Sequence, residues 1–586
     1  MKIIRVVVFI LLIVQSSFSQ KTTEFKWWNP SNNEFDVLEG QGWPSEVASI
    51  YDRLPARLRK VVTKQIWNSS RHSTGLSIRF WSNADTICVK YKVKNEISNK
   101  VISPSETREL DLYSKSINGE WLRYSGKYKA DSIINCEFNV EDSTDIYKTY
   151  GREFQLFLPL SSTVEFLEIG INKESIFNPL PIRIERPIVV YGESLYQEGE
   201  TSSYGMAWAN VLQRKLDRPL INLGFLENDK LETELIDLIA KVDAKLYILD
   251  CSSNLKPHTS DVFQSLINAV EKLRIKRPKT PIIITNHSSF LNVTLKKNGI
   301  DYKDLDEELN RAFNYLKAKG VLDIYLLKKS DFSFNFDSNK NYIHATKYKI
   351  TQYAQVFENL IRKVLVEPKG DVSTTIAKTQ SRDIAVYNWV ERHQKILKLN
   401  KLGISKICLF GDSIINFWGG EPETSKPNGQ KSWEDFMEPL GVRNYGFGYD
   451  YIENVLWRIH HDELDGVHAE KIVFMIGTNN LSINSNSEII DGLIGLVKAV
   501  KERSPNSMVF IIGVLPRQGK EDRIVSLNHE ISQLKEKINI DYYNINAPLL
   551  NENGKVNQTL FSDGLHPNNR GYSIIAKELQ EILGSK

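Results

Sequence analysis

Three polar residues in the C-terminal third of the chain have the types and the order of a nucleophilic hydrolytic site. Ser413 ends a Gly-Asp-Ser turn directly after the apolar run 407–410, and open parallel sheets present their ligand sites where such strands end. Asp563 and His566 lie three residues apart in a loop before a predicted helix that begins near Gly571. A serine that attacks an ester needs a neutral imidazole to take its proton, and the imidazole needs a carboxylate to hold its tautomer. Taken singly, the Asp-Ser turn is also common as a helix cap, and the Asp563–His566 turn is more typical of a capped helix start with an incidental histidine.

A fourth residue, Asn479, lies in a Gly-Thr-Asn-Asn turn at the end of the apolar run 472–476. A side-chain amide in that place can donate into an oxyanion hole, although Asn after a strand is more often only a turn residue. The occurrence of all these motifs in one domain favours the catalytic interpretation of each. All the pieces fall at strand ends or just before the last helix, in the order serine, amide, aspartate, histidine.

The elements that must position these residues form two copies of one pattern. From 187 to 366, and again from 383 to 586, buried apolar runs alternate with helical stretches, which predicts parallel sheets covered by helices on both faces. Each copy opens with a strand that runs into a Gly-x-Ser turn, at Ser194 in the first and at Ser413 in the second. This correspondence predicts a duplicated α/β fold.

The region before the two copies is different, because its short alternating runs, such as 76–80 and 87–91, predict a β-sandwich of the jelly-roll type.

His393 lies on the apolar stripe of a predicted helix after a polar stretch, and we interpret it as a packed core histidine. The predicted organisation is a signal peptide at 1–19, a β-sandwich at 20–186, a first α/β domain at 187–366, a linker at 367–382, and a second α/β domain with a leading helix at 383–586.

Composition excludes several classes of function. A net charge of +3 over 586 residues, without a long Lys/Arg run, does not predict a nucleic-acid partner.

Lys2 and Arg5 precede the apolar run 6–14, which predicts a signal peptide and a secreted or periplasmic protein. A membrane anchor is the alternative, but that run is about half the ~20 residues that a spanning helix needs. No cysteine lies at the predicted cleavage point after this run, which argues against a lipid anchor.

The cysteines carry no metal-binding spacing, so no metal is predicted. Buried free thiols are the expected state, and a bridge between Cys88 and Cys136 is left open because both fall in the predicted β-sandwich.

Four blocks of the C-terminal domain together resemble the SGNH (GDSL) hydrolases, and the second block resembles the platelet-activating-factor acetylhydrolase branch of that family. The blocks are residues 411–414, 444–458, 477–480 and 563–566. The resemblance implies a three-layer, flavodoxin-like fold without a cofactor. It also implies Ser413 as nucleophile, His566 as general base and Asp563 as its orienting partner. The implied oxyanion donors are the Ser413 amide, a backbone amide of the second block and the Asn479 side chain.

The second block departs from the family at one position. Aligned on Asp450, the oxyanion glycine of the family falls at Tyr449 rather than at Gly448. A tyrosine can still donate its backbone N–H, and its ring could form an aromatic wall for a sugar. Trp418 and Tyr449 are therefore predicted to bind substrate, and Trp457 is either a further exposed aromatic or core packing.

The first α/β domain resembles another SGNH branch, at 190–195, 205–210 and 221–225, but its pattern is damaged. Asn341 stands where the family has the triad aspartate, and losing that carboxylate costs about four orders of magnitude in a comparable triad. Glu227-Asn228 replaces the usual Gly-Asn of the oxyanion loop. We therefore expect a degenerate copy, with a possible second site at Ser194, Asn254 and His344, for which Asp337 could supply a carboxylate.

These observations predict a secreted serine esterase that removes acyl groups, O-acetyl groups above all, from carbohydrate. A lipid or small-acyl esterase is the first alternative, suggested by the second block. A glycan-binding protein with two degenerate hydrolase folds is the second, and the intact four-block set argues against it. The sequence does not predict the sugar or the oligomeric state.

Overall fold

The computed structural model describes most of the chain in ten stretches. They are residues 24–94, 110–129, 131–140, 145–192, 204–225, 231–250, 262–286, 302–332, 347–403 and 405–584. Within these stretches no helix is long and apolar enough to cross a membrane.

The N-terminal part is a sandwich of two antiparallel sheets that enclose one apolar core. Alternating residues of each strand point into that core, as the short alternating runs predict. One sheet has the order β1-β10-β4-β8-β7, and the other has the order β11-β3-β9-β5-β6 with β2 paired to β3. The strands are β1 Phe25–Trp28, β2 Leu38–Glu39, β3 Ser77–Ser82, β4 Thr86–Lys94, β5 Asp111–Lys115, β6 Trp121–Tyr124, β7 Gly126–Lys129, β8 Ile134–Asn139, β9 Arg152–Phe157, β10 Thr163–Asn172 and β11 Phe177–Pro179, with the short helices α1 Lys64–Ser70 and α2 Asp145–Tyr150.

A five-stranded parallel sheet of order β13-β12-β14-β15-β16 follows, with a separate apolar core on each face. The strands at 188–192, 220–224 and 246–250 are buried along their whole length, which is why they appear in the sequence as continuous apolar runs. The strands of the sheet are β12 Ile188–Gly192, β13 Leu220–Gly224, β14 Leu246–Asp250, β15 Ile282–Asn286 and β16 Ile324–Lys328, and the helices are α3 Trp208–Leu216, α4 Thr233–Ile239, α5 Val262–Lys276, α6 Tyr302–Ala318 and α7 Lys347–Val364.

The C-terminal part repeats this topology in a sheet of order β18-β17-β19-β20-β21. The predicted fold class is confirmed, and the order 2-1-3-4-5 is that of flavodoxin-like folds, which bind ligands where the strand order reverses. The strands are β17 Ile407–Gly411, β18 Val442–Gly446, β19 Lys471–Met475, β20 Met508–Ile512 and β21 Asp541–Tyr543. The helices are α8 Trp389–Leu402, α9 Ser413–Asn416, α10 Gln430–Ser432, α11 Ile452–Arg458, α12 Asn486–Arg503, α13 Glu521–Ser532, α14 Lys535–Ile538 and α15 Asn569–Gly584.

Cys88, Cys136 and Cys408 are reduced thiols that form no disulfide bond with one another. Cys136 pairs with Val89 and not with Cys88 in the β4–β8 ladder, so the two thiols point to opposite faces of the sheet. The fourth cysteine, Cys251, lies outside the described residues.

Buried charges join the two α/β sheets. The carboxylate of Asp462, in the turn after α11, accepts hydrogen bonds from Lys245 at 3.0 Å and from Arg218 at 3.3 Å, both of the first α/β part. Arg218 also donates to the His460 carbonyl at 2.6 Å. Because a buried charge without its partner is strongly destabilising, these pairs fix how the two parts meet.

His393 is a fully buried residue of α8, as expected for a core histidine, and it lies between two carboxylates. Its Nδ1 is 2.8 Å from Glu463 and its Nε2 is 3.3 Å from Glu185, which precedes β12. Although burial opposes the charged form, hydrogen bonds to the two glutamates raise the pKa of His393 to about 9. The imidazole therefore carries a positive charge at neutral pH.

The variant His393→Gln tests this charge. A folded-state pKa raised from 6.5 to about 9 means that the stabilisation is complete below about pH 6.5 and is lost as the pH rises through about 9. We expect the loss of Tm relative to the native protein to be largest near pH 6 and to shrink toward pH 10. His529→Gln, at an exposed position on α13, is the control and should show no such trend. A deficit that grows with pH would contradict the assignment.

Candidate active site

Ser413 is the first residue of α9, two positions after the end of β17. A side chain at Gly411 would press against Ile415 and come within 2.6 Å of the Met475 carbonyl, so the turn requires glycine. The Asp412 side chain caps α9 by accepting the Ile414 amide at 3.0 Å. The strand end and the cap together hold the serine at the carboxyl edge of the sheet.

His566 and Asp563 form a compact turn directly before α15. One Asp563 oxygen accepts the backbone amides of His566 at 2.7 Å and Leu565 at 3.0 Å, and the other lies 2.7 Å from His566 Nδ1. Although burial opposes its charge, hydrogen bonds from the His566 amide and ring hold the pKa of Asp563 below its ordinary value. The carboxylate is therefore ionised and oriented toward the imidazole.

The other ring nitrogen of His566, Nε2, lies 2.9 Å from Ser413 Oγ. The structure thus brings together Ser413, His566 and Asp563 in one hydrogen-bonded chain, although Ser413 and His566 are 153 positions apart in sequence. Phe417 packs beside the imidazole, with ring centroids 5.3 Å apart. An imidazole held between a hydroxyl and a carboxylate can accept the hydroxyl proton when the serine attacks a carbonyl.

The loop 447–451, which we call the oxyanion loop, follows β18. Tyr449 has a φ of +58° and its side chain is 51% exposed. The Asn479 side chain donates to the Asp450 carbonyl at 3.0 Å, and its amide carries a second hydrogen. Among the described residues, neither the Ser413 nor the Tyr449 backbone amide has a protein acceptor.

Asp450 anchors this loop from inside the protein. One carboxylate oxygen accepts from Trp389 Nε1 at 2.7 Å and Gln380 Nε2 at 3.1 Å, and the other accepts from Arg458 Nε at 3.0 Å. Burial raises the pKa of Asp450 to about 6, although Arg458 lowers it. Arg458 also donates from Nη1 to the Glu463 carboxylate at 2.6 Å. Since Glu463 contacts His393, a chain of hydrogen bonds joins the oxyanion loop to the carboxylates around that histidine.

One aromatic prediction is wrong, and an open one is decided in favour of core packing. Trp418 is not an exposed substrate-binding residue, because it is fully buried, stacks on Tyr572 with centroids 5.2 Å apart and donates to Ser432 Oγ at 3.0 Å. Trp457 is also core packing, stacked 3.6 Å from the ring of His461. Only Tyr449 of the three is exposed.

The possible second site cannot be compared with the first. Ser194, Asn254 and His344 lie outside the described residues, as do the positions on which its degeneracy was argued, Glu227, Asn228, Asp337 and Asn341. Among the residues that are described, no group of three or more His, Cys, Asp or Glu could hold a metal ion.

Sequence reasoning missed the contribution of residues before α8. Gln380, Arg382 and Tyr387 contact the oxyanion loop, and the carboxylate of Asp383 lies beside Gly448. These residues precede the loop by 60 to 70 positions and belong to no block of the family. The only sequence signal that could have indicated these residues is the high proportion of polar and aromatic side chains in 378–389.

Comparisons with known proteins find family matches in three parts of the chain. The GDSL-like Lipase/Acylhydrolase family matches twice, over residues 185–362 and 409–574, and the N-terminus of Esterase_SGNH_hydro-type matches over residues 25–177. The alpha2 subunit of platelet-activating factor acetylhydrolase IB is 26% identical in the rat and 25% identical in the human protein. Both alignments run over 200 residues, which is 33% of this chain and 83% of the relative.

A solved structure of a GDSL-like protein from Bacteroides ovatus shares the fold, with a TM-score of 0.51 and 24% identity over 58% of this chain and 98% of its own. The fold and the site define an SGNH-type ester hydrolase. The chain belongs to the GDSL (SGNH) acylhydrolase family, with two such domains in tandem behind a β-sandwich.

The backbone of Tyr449 yields a prediction about stability. A left-handed conformation costs a residue with a Cβ about 1–2 kcal/mol and costs glycine little. We therefore expect Tyr449→Gly to be more stable than Tyr449→Ala by about 1 kcal/mol in urea unfolding, since both lose the same ring. Equal stabilities would show that the backbone at this position is not strained.

Proposed function

We propose that this protein is a secreted serine esterase that removes O-acetyl groups from carbohydrate through Ser413, His566 and Asp563. The observation that carries the proposal is the continuous hydrogen-bonded chain from Ser413 Oγ through the imidazole to Asp563, at 2.9 and 2.7 Å. This is the arrangement that acyl transfer to a serine requires.

Acylation begins when Ser413 Oγ attacks the ester carbonyl carbon while His566 Nε2 takes the hydroxyl proton. The carbonyl oxygen becomes an oxyanion, which the amides of Ser413 and Tyr449 and the Asn479 side chain stabilise. Collapse of this intermediate breaks the bond to the alcohol, which leaves with the proton from His566. Water then gives a proton to the same nitrogen and attacks the acyl-enzyme carbonyl. Collapse of the second intermediate breaks the bond to Ser413 Oγ, which regains its proton from His566, and the carboxylic acid leaves and ionises in solution.

Two observations support an acetyl group on a sugar. The relatives of the second domain are named as acetylhydrolases, which favours a short acyl group. The predicted signal peptide would bring the enzyme to extracytoplasmic glycans, and the exposed Tyr449 ring beside the site offers a flat surface for a sugar. An acetylated lipid is the second candidate, favoured by the platelet-activating factor in the names of the same relatives.

A panel of esters separates these candidates. We expect p-nitrophenyl acetate to be cleaved faster than the butyrate and octanoate esters, and acetate to be released from an acetylated polysaccharide. Preference for a 2-acetyl ether phospholipid over the polysaccharide would favour the lipid candidate. Hydrolysis of long acyl chains alone would contradict the proposal.

Ser413→Ala should abolish nearly all of this hydrolysis without lowering Tm. Ser194→Ala is the matched control from the first α/β domain and should retain most of it, because that domain lacks the triad aspartate at Asn341. Initial rates on p-nitrophenyl acetate measure both. Ser194-dependent hydrolysis in the Ser413→Ala protein would instead make the chain a two-site esterase.

Asn479→Ala removes one oxyanion donor and should lower kcat by about two to three orders of magnitude. Asn400→Ala is the control, because Asn400 also donates its side-chain amide to a backbone carbonyl, that of Glu463 at 2.8 Å, away from the site. Wild-type kcat in Asn479→Ala would show that Asn479 serves only the turn.

A further inference from the structure

The segment 378–389, which we call the strap, crosses the oxyanion loop and ties down its backbone. The Gly448 carbonyl accepts from Gln380 Nε2 and from the Tyr387 hydroxyl, each at 2.9 Å. The next carbonyl, that of Tyr449, accepts from Arg382 at 3.0 Å. Both successive carbonyls of the loop are therefore held from outside it.

The Gly448 carbonyl and the Tyr449 N–H belong to the same peptide group. That group is planar and trans, so the direction of the carbonyl fixes the direction of the N–H. The two bonds from Gln380 and Tyr387 therefore set where the Tyr449 amide points. Polarisation of the carbonyl by two donors also strengthens the N–H as a donor.

The turn itself favours the opposite orientation. Residues 447–450 form a β-turn closed by the Asp450 amide on the Phe447 carbonyl at 3.2 Å. A positive φ at its second central residue is the type II geometry, which normally requires glycine or asparagine there. Tyr449 would adopt a negative φ more easily, and type I, which allows it, differs by a flip of the Gly448–Tyr449 peptide. That flip would turn the Tyr449 N–H away and present a carbonyl in its place.

We propose that Tyr387 and Gln380 are positioning residues of the oxyanion hole, which hold the Gly448–Tyr449 peptide against this flip. The inference rests on the proposed function, in which the Tyr449 amide stabilises the oxyanion. It assigns a catalytic contribution to a segment outside the four family blocks and explains how a tyrosine serves at a glycine position.

The strap is built to hold this orientation. Gln380 is buried, and its side-chain oxygen accepts the Arg382 amide at 2.6 Å, which directs its NH2 group toward Gly448. Burial, with Asp450 and Asp383 nearby, raises the pKa of Tyr387 far above its ordinary value, so its hydroxyl remains a donor. The strap is itself anchored to the β5–β6 hairpin turn, through the Ser381 amide on the Ile117 carbonyl at 2.9 Å.

The variant Tyr387→Phe removes one donor and leaves the ring. We expect kcat/KM on p-nitrophenyl acetate to fall about tenfold, and the Ki of phenylboronic acid, which forms a tetrahedral adduct with serine, to rise by the same factor. Tyr247→Phe is the control, because its hydroxyl also donates to a buried carbonyl, that of Val242 at 2.7 Å, in the other α/β domain. It should change neither value. Gln380→Met should lower kcat/KM and raise Ki by at least the same factor, because it also removes a donor to Asp450, and it serves if Tyr387→Phe does not fold.

Glycine at 449 removes the preference for the flipped turn, so the tenfold loss should shrink to about twofold or less when Tyr387→Phe is made in a Tyr449→Gly background. A purely structural role of Tyr387 would give the same loss in both backgrounds. Unchanged kcat/KM in Tyr387→Phe and Gln380→Met, or a loss without a matching rise in Ki, would overturn the inference. The proposed function would be contradicted separately, by wild-type rates in Ser413→Ala.

Discussion

The buried carboxylate of Asp450 is the group on which the geometry of the site depends. A charge removed from water must be met by donors at close range, and here Trp389, Gln380 and Arg458 converge on its two oxygens. The oxyanion loop can take only the position in which these donors are satisfied. Its backbone is therefore placed by electrostatics from two separate segments, the strap and α11, and the loop's own conformational preferences are overridden, as the positive φ of Tyr449 shows.

The same charges extend the site's support beyond the second α/β domain. Arg458 pairs with Glu463, which contacts His393, and the imidazole reaches Glu185 in the segment before the first α/β sheet. In parallel, Asp462 is held by cations of the first α/β part. Removing one partner of a buried ion pair is strongly destabilising. The two α/β domains therefore do not contribute independently to the structure of the site.

The fold could be predicted from the sequence, and so could the close approach of Ser413, His566 and Asp563, because both depend on local signals. Apolar runs that end in glycine turns place Ser413 and Asn479 at strand ends, and a three-residue turn is enough for Asp563 to meet His566. Trp418 could not be placed, since a single aromatic residue after a strand has no periodic pattern to show which way it faces. The strap was unpredictable for a related reason: its hydrogen bonds join positions far apart in sequence and follow no period.

The two α/β domains share more than topology, and the shared feature shows what the first one has kept. In each, the second strand ends in Asn-x-Gly-Phe, at 222–225 and 444–447, and a buried arginine donates to the glycine carbonyl, Arg53 at 2.7 Å and Arg392 at 2.8 Å. Burial lowers the pKa of both arginines. Arg392 comes from α8, whereas Arg53 comes from the β-sandwich. The sandwich thus supplies to the first sheet the arginine that the leading helix supplies to the second, so the same support beneath the loop after this strand is present in both copies.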